Sequence, residues 1–167
     1  RAISLQISAL RRKLVTENLQ SRIQAEITRF DLDHIPFRVS DSSEQGQSKF
    51  AVGLQGVDKI ANNQILSEGE QKAIALSEFL TELQLDNIKA PVIFDDPVNS
   101  LDHNIIDDVA RRLLKLSNER QVVIFTHSVL LFNSFLYFSK QPSYKGLACK
   151  FYNSKNEFDE TGFITEA

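Results

Sequence analysis

The spacing of apolar residues divides the chain into helical and extended segments. Apolar residues recur every three or four positions over residues 3–30, which predicts one long helix that Pro36 interrupts. Its first apolar residues follow the heptad spacing of a coiled-coil seam, and they are Ile3, Ile7, Leu10 and Leu14. The helix is therefore either the end of a coiled coil or an amphipathic helix packed on a core.

Two short β-prone pieces follow, near Phe37–Val39 and Lys49–Leu54, and the polar stretch "SDSSEQGQS" between them is predicted to be a loop. A second loop is predicted over residues 56–65. The next apolar residues again have helical spacing, and they predict a helix over Glu68–Leu85.

The middle of the chain predicts two parallel strands joined by a helix. Two continuous apolar runs, "APVIF" at 90–94 and "QVVIFT" at 121–126, are typical of strands buried on both faces. An amphipathic helix between them makes a βαβ unit in an α/β fold. A helix over 129–138 and an antiparallel hairpin within 147–166, at the edge of the sheet, are predicted to complete the chain.

Composition narrows the class of protein. The 167 residues are 42% hydrophobic and 25% charged, as in a globular domain, and no apolar run is long enough to span a membrane. The single cysteine, Cys149, excludes a disulfide framework and a cysteine-rich zinc site, and it fits a cytoplasmic location. His34 and His103 lie in predicted loops without a partner pattern, and we expect both at the surface.

Charge is distributed unevenly, although the net charge is only −3. Residues 1–30 contain six basic and two acidic side chains. This end is either a solvated helix face or a surface that lies near a polyanion such as DNA. The chain begins at Arg1 and contains no Met, so we expect it to be a piece of a longer protein.

Candidate chemistry lies where the two predicted parallel strands end. Asp95 and Asp96 follow the first strand, and Thr126-His127-Ser128 follow the second. Ligands of such sheets bind beyond the carboxyl ends of the strands, so these groups are expected to converge. One carboxylate could hold Mg²⁺, the second could orient or deprotonate a water, and the histidine could bind a terminal phosphate. Together they favour nucleoside triphosphate hydrolysis, whereas an isolated acidic pair would equally fit a turn or a helix cap.

The segment "LSEGE", residues 66–70, has two interpretations. Ser67 and Glu70 have the spacing of a capping box, which by itself explains a helix start. A helix N-terminus with a hydroxyl and a glycine is also suited to bind an anion.

Four segments in this order resemble the C-terminal lobe of an ABC-type ATPase head of the SMC and RecF kind. "LSEGE" resembles the signature motif, "VIFDDP" the Walker B strand, "NSLD" the D-loop and "VIFTHS" the switch-histidine strand, over residues 60–130. The combination is most similar to bacterial AAA-family ATPases of the PrrC-like and RloC-like group, which serve phage defence or nucleic-acid damage responses.

The resemblance implies ATP and Mg²⁺ as ligands and assigns a role to each matching residue. Asp95 would bind Mg²⁺, Asp96 would polarise the attacking water, and His127 would lie near the γ-phosphate. The residues implied to bind nucleotide across a homodimer are Ser67 and Gly69, which would contact the γ-phosphate, with Glu70 beside them and Ser100 and Asp102 in the D-loop.

Three departures from the family pattern qualify these roles. Asp96 stands where the family usually has Glu, and Glu68 replaces the usual first glycine of the signature motif. The sequence also contains no G-x-x-x-x-G-K-[ST] loop. We therefore expect residues 1–30 to end a coiled coil and residues 31–167 to form a C-terminal lobe. An N-terminal lobe outside this chain would supply the Walker A loop, so the fragment alone is expected to be inactive.

Three hypotheses follow. The first is an ATP-hydrolysing head that dimerises around ATP in a bacterial DNA-repair or phage-defence protein, with DNA or RNA as a further partner and no membrane. The second is a non-catalytic, ATP-gated dimerisation or DNA-bridging module. The third, an unrelated Mg²⁺-dependent phosphohydrolase, leaves the order of the four motifs unexplained.

Overall fold

The computed structural model describes residues 2–44, 47–55, 65–157 and 160–166, with side chains over 15–40, 53–55, 65–154 and 164–166. The predicted loop at 56–65 falls almost entirely outside these residues. The helices are α1 (Ala2–Arg29), α2 (Glu68–Leu85), α3 (His103–Leu116) and α4 (Val129–Phe138). The strands are β1 (Phe37–Glu44), β2 (Gln47–Leu54), β3 (Val92–Asp95), β4 (Val122–Phe125), β5 (Tyr152–Glu157) and β6 (Glu160–Glu166).

Helix α1 packs its C-terminal half on the core. Ile23, Ile27 and Phe30 are buried, while Val15 is 52% exposed. The packed-helix interpretation therefore holds for this half, and the side chains of the predicted coiled-coil seam lie outside the described residues. The helix ends where Asp31 adopts a left-handed backbone conformation (φ 55°), several residues before Pro36.

A buried ion pair joins α1 to two other helices. Glu26 is fully buried and accepts hydrogen bonds from Arg112 of α3, at 2.8 and 3.1 Å from Nε and 2.9 Å from Nη2. Arg29 Nη1 donates to the same carboxylate at 2.6 Å, and Gln84 of α2 donates as well. A buried charge requires hydrogen-bond partners. The partners of this carboxylate come from α1, α2 and α3, so it connects three helices.

Strands β1 and β2 form an antiparallel hairpin, pairing from Phe37↔Leu54 to Glu44↔Gln47. The prediction of a loop over "SDSSEQGQS" was wrong, because most of this stretch belongs to the two strands. Backbone hydrogen bonds hold an antiparallel ladder whatever the side chains are, so its polar residues gave no strand signal. Phe37, Val39 and Leu54 anchor the hairpin in the core.

Strands β3 and β4 are parallel, with α3 as the connection between them, as predicted. The pairs run from Val92↔Val122 to Asp95↔Phe125. One face of this sheet belongs to the core through Val92 and Phe94, and the Phe94 ring meets Phe79 of α2 edge to face. Helix α3 adds a buried stripe at helical spacing, consisting of Ile106, Val109, Leu113 and Leu116.

The prediction that both strands are buried on both faces was wrong for this chain. Ile93 is 66% exposed and Phe125 is 60% exposed. Within the described residues this sheet contains only two strands and is covered on one face. The face of the β3–β4 sheet that contains Ile93 and Phe125 is therefore exposed among the described residues.

The C-terminal hairpin of β5 and β6 is antiparallel, as predicted. It forms a separate sheet in the described part of the chain, so its predicted position at the edge of the parallel sheet was wrong. Helix α4 packs on α3, with Leu131 buried and Ser134 Oγ donating to Asp107 at 2.6 Å. None of the described helices has the length and apolar character needed to cross a membrane.

Candidate functional site

The two adjacent carboxylates at the end of β3 are held in different environments. Asp95 lies on the exposed face of the strand, on the same side as Ile93. The chain then turns at Asp96, whose backbone has φ 46° and whose N–H donates to the carbonyl of Phe125 at 2.7 Å. This turn places Asp96 against the end of β4.

Both oxygens of Asp96 have partners from the segment that follows β4. Thr126 Oγ1 donates to Oδ1 at 2.7 Å, and His127 Nδ1 lies 2.9 Å from Oδ2. The side chain of Asp96 is 19% exposed, whereas that of His127 is 84% exposed. The carboxylate is thus fixed near the surface, where a water could reach it, and its histidine partner stands largely in solvent.

Asp95 has the chemistry of a magnesium ligand but does not form a metal site alone. Its carboxylate is exposed at a rigid strand end. No cluster of three or more His, Cys, Asp or Glu side chains suited to a metal ion occurs in the described part of the chain. Magnesium commonly takes one or two carboxylates and completes its shell with waters and phosphate oxygens. The residues present therefore fit Mg²⁺ that is bound together with a nucleotide.

The signature-like segment begins α2 with the predicted capping box. Ser67 Oγ accepts from the Glu70 N–H at 3.2 Å, and Glu70 Oε2 accepts from the Ser67 N–H at 2.8 Å. The Ser67 hydroxyl also donates to Glu70 Oε2 at 2.7 Å. His34 Nε2 lies 3.1 Å from Glu70 Oε1. The bond from Ser67, followed by that from His34, lowers the pKa of Glu70.

Glu68 and Gly69 lie against residues 100–101, in the segment that resembles a D-loop. A Cβ at Gly69 would be 2.5 Å from the backbone oxygen of Ser100, so only glycine allows this approach. Glu68 forms an ion pair with Lys72 at 2.8 Å. The hydrogen bond from Lys72, then that from Ser100, lowers the pKa of Glu68. The negative charge that departs from the family pattern is thus partly compensated.

In the segment that resembles a D-loop, Ser100 has side-chain partners within the chain, whereas Asp102 has none among the described residues. Ser100 has a left-handed backbone (φ 68°). Asp102 is the N-cap of α3 but makes no side-chain capping bond, and it is exposed. An exposed carboxylate without a partner among the described residues is available to a group outside this chain.

The residues singled out from the sequence therefore form two clusters. The strand-end cluster contains Asp95, Asp96 and His127. The signature cluster contains Ser67, Gly69, Glu70, Ser100 and Asp102. Sequence reasoning missed Thr126 as a partner of Asp96, although its position beside His127 at a strand end was a signal. It also gave His34 no partner, and Glu70 is that partner.

The fold is similar to that of part of an SMC head domain. A crystal structure of an SMC head bound to the C-terminal winged-helix domain of ScpA matches with a TM-score of 0.67 and 13% identity, over 91% of this chain and 43% of that chain. The SMC head of Pyrococcus yayanosii with coiled coil and joint matches with a TM-score of 0.65 and 13% identity, over 98% and 29%.

A structure from work on ATP-driven dimerisation and DNA-stimulated activation of SMC ATPases matches with a TM-score of 0.57 and 14% identity, over 93% of this chain and 88% of that chain. At these identities the likeness concerns the fold, and the chain spans less than half the length of the first two chains. A family model described as an AAA domain (AAA_13) matches residues 1–166, so the chain belongs to this AAA domain family. A comparison with curated proteins found no match.

Proposed function

We propose that this chain is the signature and Walker B lobe of a head that binds and hydrolyses ATP and dimerises around it. The observation that carries the proposal is the different environment of the two strand-end carboxylates. Asp95 is open to solvent, and Asp96 is held by Thr126 and His127. An exposed carboxylate suits a metal ligand, and a carboxylate held by hydrogen bonds suits a water-activating base.

In the proposed reaction Asp96 acts as the base. The water oxygen attacks the γ-phosphorus, and a proton of this water passes to Asp96. The bond from the γ-phosphorus to the bridging oxygen breaks, and ADP leaves with the electron pair. Magnesium held by Asp95 would supply charge neutralisation on the phosphate oxygens. His127, which is largely exposed, would leave Asp96 and donate to the γ-phosphate.

The signature cluster is proposed to act on nucleotide bound to the partner subunit. Ser67 and Gly69, at the N-terminus of α2, would contact the γ-phosphate, because the helix dipole favours an anion there. Glu70 supports Ser67 through the capping box. Ser100 and Asp102 would face the partner's site. The pairing of Glu68 with Lys72 limits the repulsion of phosphate by the acidic side chain.

We propose the domain arrangement from the same fold. Residues 1–30 would end a coiled coil, residues 31–167 would form the lobe, and a Walker A lobe outside this chain would complete the site. The open face of the parallel sheet, with Ile93 and Phe125, supports such a companion lobe. Because the phosphate-binding loop would be absent, the isolated chain should neither bind ATP tightly nor hydrolyse it.

The biological setting is proposed from the sequence resemblance alone. We place the protein in the bacterial cytoplasm, in the PrrC-like and RloC-like group, with a role in DNA repair or phage defence and with DNA or RNA as a partner. Four of the six basic residues within 1–30, namely Arg1, Arg11, Arg12 and Lys13, have side chains outside the described residues.

The test of the catalytic assignment is Asp96→Asn in the full-length protein. The amide cannot accept the proton of water, so steady-state ATP turnover should fall by about 100-fold or more. Nucleotide binding, measured by equilibrium titration, should be retained. Turnover equal to that of the unaltered protein would remove Asp96 from the mechanism.

A second candidate function is an ATP-gated dimerisation or DNA-bridging module without hydrolysis. The shorter Asp at position 96 favours it, because its carboxylate reaches less far than that of Glu. Steady-state ATPase activity separates the two functions. ATP-dependent dimerisation with no turnover in the unaltered protein would favour this second candidate.

A further inference from the structure

Thr126 is exposed, and its hydroxyl makes a second hydrogen bond besides the one to Asp96. Its Oγ1 accepts a hydrogen bond from the Ser128 N–H at 3.0 Å, and Ser128 is the N-cap of α4. Thr126 also directly follows β4, whose end is bonded to the turn at Asp96. The hydroxyl is thus held between a strand end and a helix start.

This anchoring determines the direction of the hydroxyl proton. A hydroxyl has one hydrogen to donate, and the Ser128 N–H already donates to its oxygen. The single hydrogen of Thr126 is therefore directed to Asp96 Oδ1, 2.7 Å away. A bond between a hydroxyl and a carboxylate is a charge-assisted one and is stronger than a neutral hydrogen bond.

The two oxygens of Asp96 consequently have partners of different kinds. Oδ1 accepts from Thr126, whose oxygen is also bonded to the Ser128 N–H, whereas Oδ2 faces His127, whose side chain is 84% exposed. A shift of His127 toward a phosphate would free Oδ2 and leave the bond from Thr126 to Oδ1 in place.

We propose that Thr126 is a positioning residue that holds Asp96 Oδ1 so that Oδ2 receives the proton of the attacking water. This inference rests on the proposed function. It explains how a head with Asp in place of Glu keeps a defined base: the threonine restricts a carboxylate that is one methylene shorter. The role belongs to Thr126 itself and does not require any contact between Thr126 and the nucleotide.

The experiment compares variants of the full-length protein in steady-state ATP hydrolysis and in ATP-dependent dimerisation. Thr126→Val keeps the shape and removes the hydroxyl, and kcat should fall by about 10- to 100-fold, since misplacing a base has effects of this size. KM for ATP should stay within about twofold, because the lost bond acts after nucleotide binding. Thr126→Ser retains the hydroxyl and should restore kcat to within about threefold of the unaltered protein.

A matched control removes a different bond between a hydroxyl and a carboxylate from the same lobe. Ser134 donates to Asp107 at 2.6 Å, between α4 and α3, away from the strand ends. Ser134→Ala should leave kcat and KM unchanged. Dimerisation should be retained in Thr126→Val, as measured by size-exclusion chromatography with light scattering.

The outcomes separate this inference from the function on which it rests. An inactive Asp96→Asn variant beside a fully active Thr126→Val variant would overturn the role of Thr126 and leave the ATPase proposal intact. A loss of dimerisation that Thr126→Ser does not restore would make Thr126 a structural residue and would also overturn it. Full activity of Asp96→Asn would remove the proposed function, and this inference with it.

Discussion

The buried ion pair between α1 and α3 gives a quantitative prediction about stability. In Arg112→Met the Glu26 carboxylate stays fully buried and loses the three short contacts that Arg112 makes with it. Removing one partner of such a pair costs about 3–5 kcal/mol, because the buried charge keeps only the half-exposed Arg29 and the neutral Gln84 as partners. Domains unfold with about 5–15 kcal/mol, so this loss would be a large part of the total.

A matched variant isolates the contribution of burial. Arg29 bonds to the same carboxylate at 2.6 Å, but its side chain is 51% exposed. Arg29→Met should therefore cost only about 0–1 kcal/mol, as exposed ion pairs do. The double variant Glu26→Leu with Arg112→Met removes both buried charges and should be less destabilised than Arg112→Met alone, because an apolar replacement leaves no orphaned charge.

The assay is urea unfolding of the protein followed by circular dichroism, with the midpoint and slope compared among the variants. A coupling energy of about 2 kcal/mol or more between positions 26 and 112 is expected from the double-mutant cycle. Equal losses in Arg112→Met and Arg29→Met would refute the reasoning. The reasoning would also be refuted if the loss of stability in the double variant equalled the sum of the losses in the single variants Glu26→Leu and Arg112→Met.

Two further predictions concern the start of α2. Gly69→Ala should displace the Ser100 backbone, weaken ATP-dependent dimerisation and lower stability by about 1–3 kcal/mol. Ala75→Gly, at an exposed position in the same helix, is the stability control. Unchanged stability and dimerisation of the Gly69→Ala protein would contradict the close approach. The folded pKa of Glu70 is lowered, so the capping box stabilises the fold at pH values above the ordinary carboxyl pKa, and this contribution is lost as the pH falls through the lowered value. Glu70→Gln should reduce the loss of stability on acidification, measured by thermal unfolding across the acidic range, and identical slopes in the two proteins would contradict it.

The helices and the parallel strand pair could be predicted because their signals are local. The predicted range of α2, Glu68–Leu85, agrees with the structure, since Ser67 and Glu70 form a complete cap and the apolar residues keep helical spacing. The parallel pairing followed from two short apolar runs separated by an amphipathic helix. In both elements local preference and tertiary packing agree.

Other features depend on contacts that no local pattern reports. The polar strands of β1 and β2 are defined by backbone pairing with each other. The apolar run at 92–94 indicates that the strand has two apolar faces. It does not indicate that only the face with Val92 and Phe94 is buried by other residues of this chain. Glu26 reads as one more polar residue of a long helix, and its burial depends on Arg112, 86 positions further along the chain.

The candidate site, like the fold, could be predicted only in part from the sequence. The convergence of Asp96 and His127 followed from the rule that parallel strands end at one edge of the sheet. The contact of Gly69 with Ser100 and the bond of His34 to Glu70 could not be foreseen, because each joins a loop to a helix start across a turn of unpredictable geometry. The roles of these residues in hydrolysis stay predictions.

The attachment of α2 at both of its ends has a mechanical consequence. Near its C-terminus Gln84 bonds to Glu26 of α1, and at its N-terminus Glu70 bonds to His34, just after α1. A helix of 18 residues is about 27 Å long, so pivoting it by about 10° at one end shifts the other by about 5 Å. Because α2 contacts α1 or the segment just after it at both ends, we expect a rotation of α1 to move α2 with it and so to change the position of Ser67.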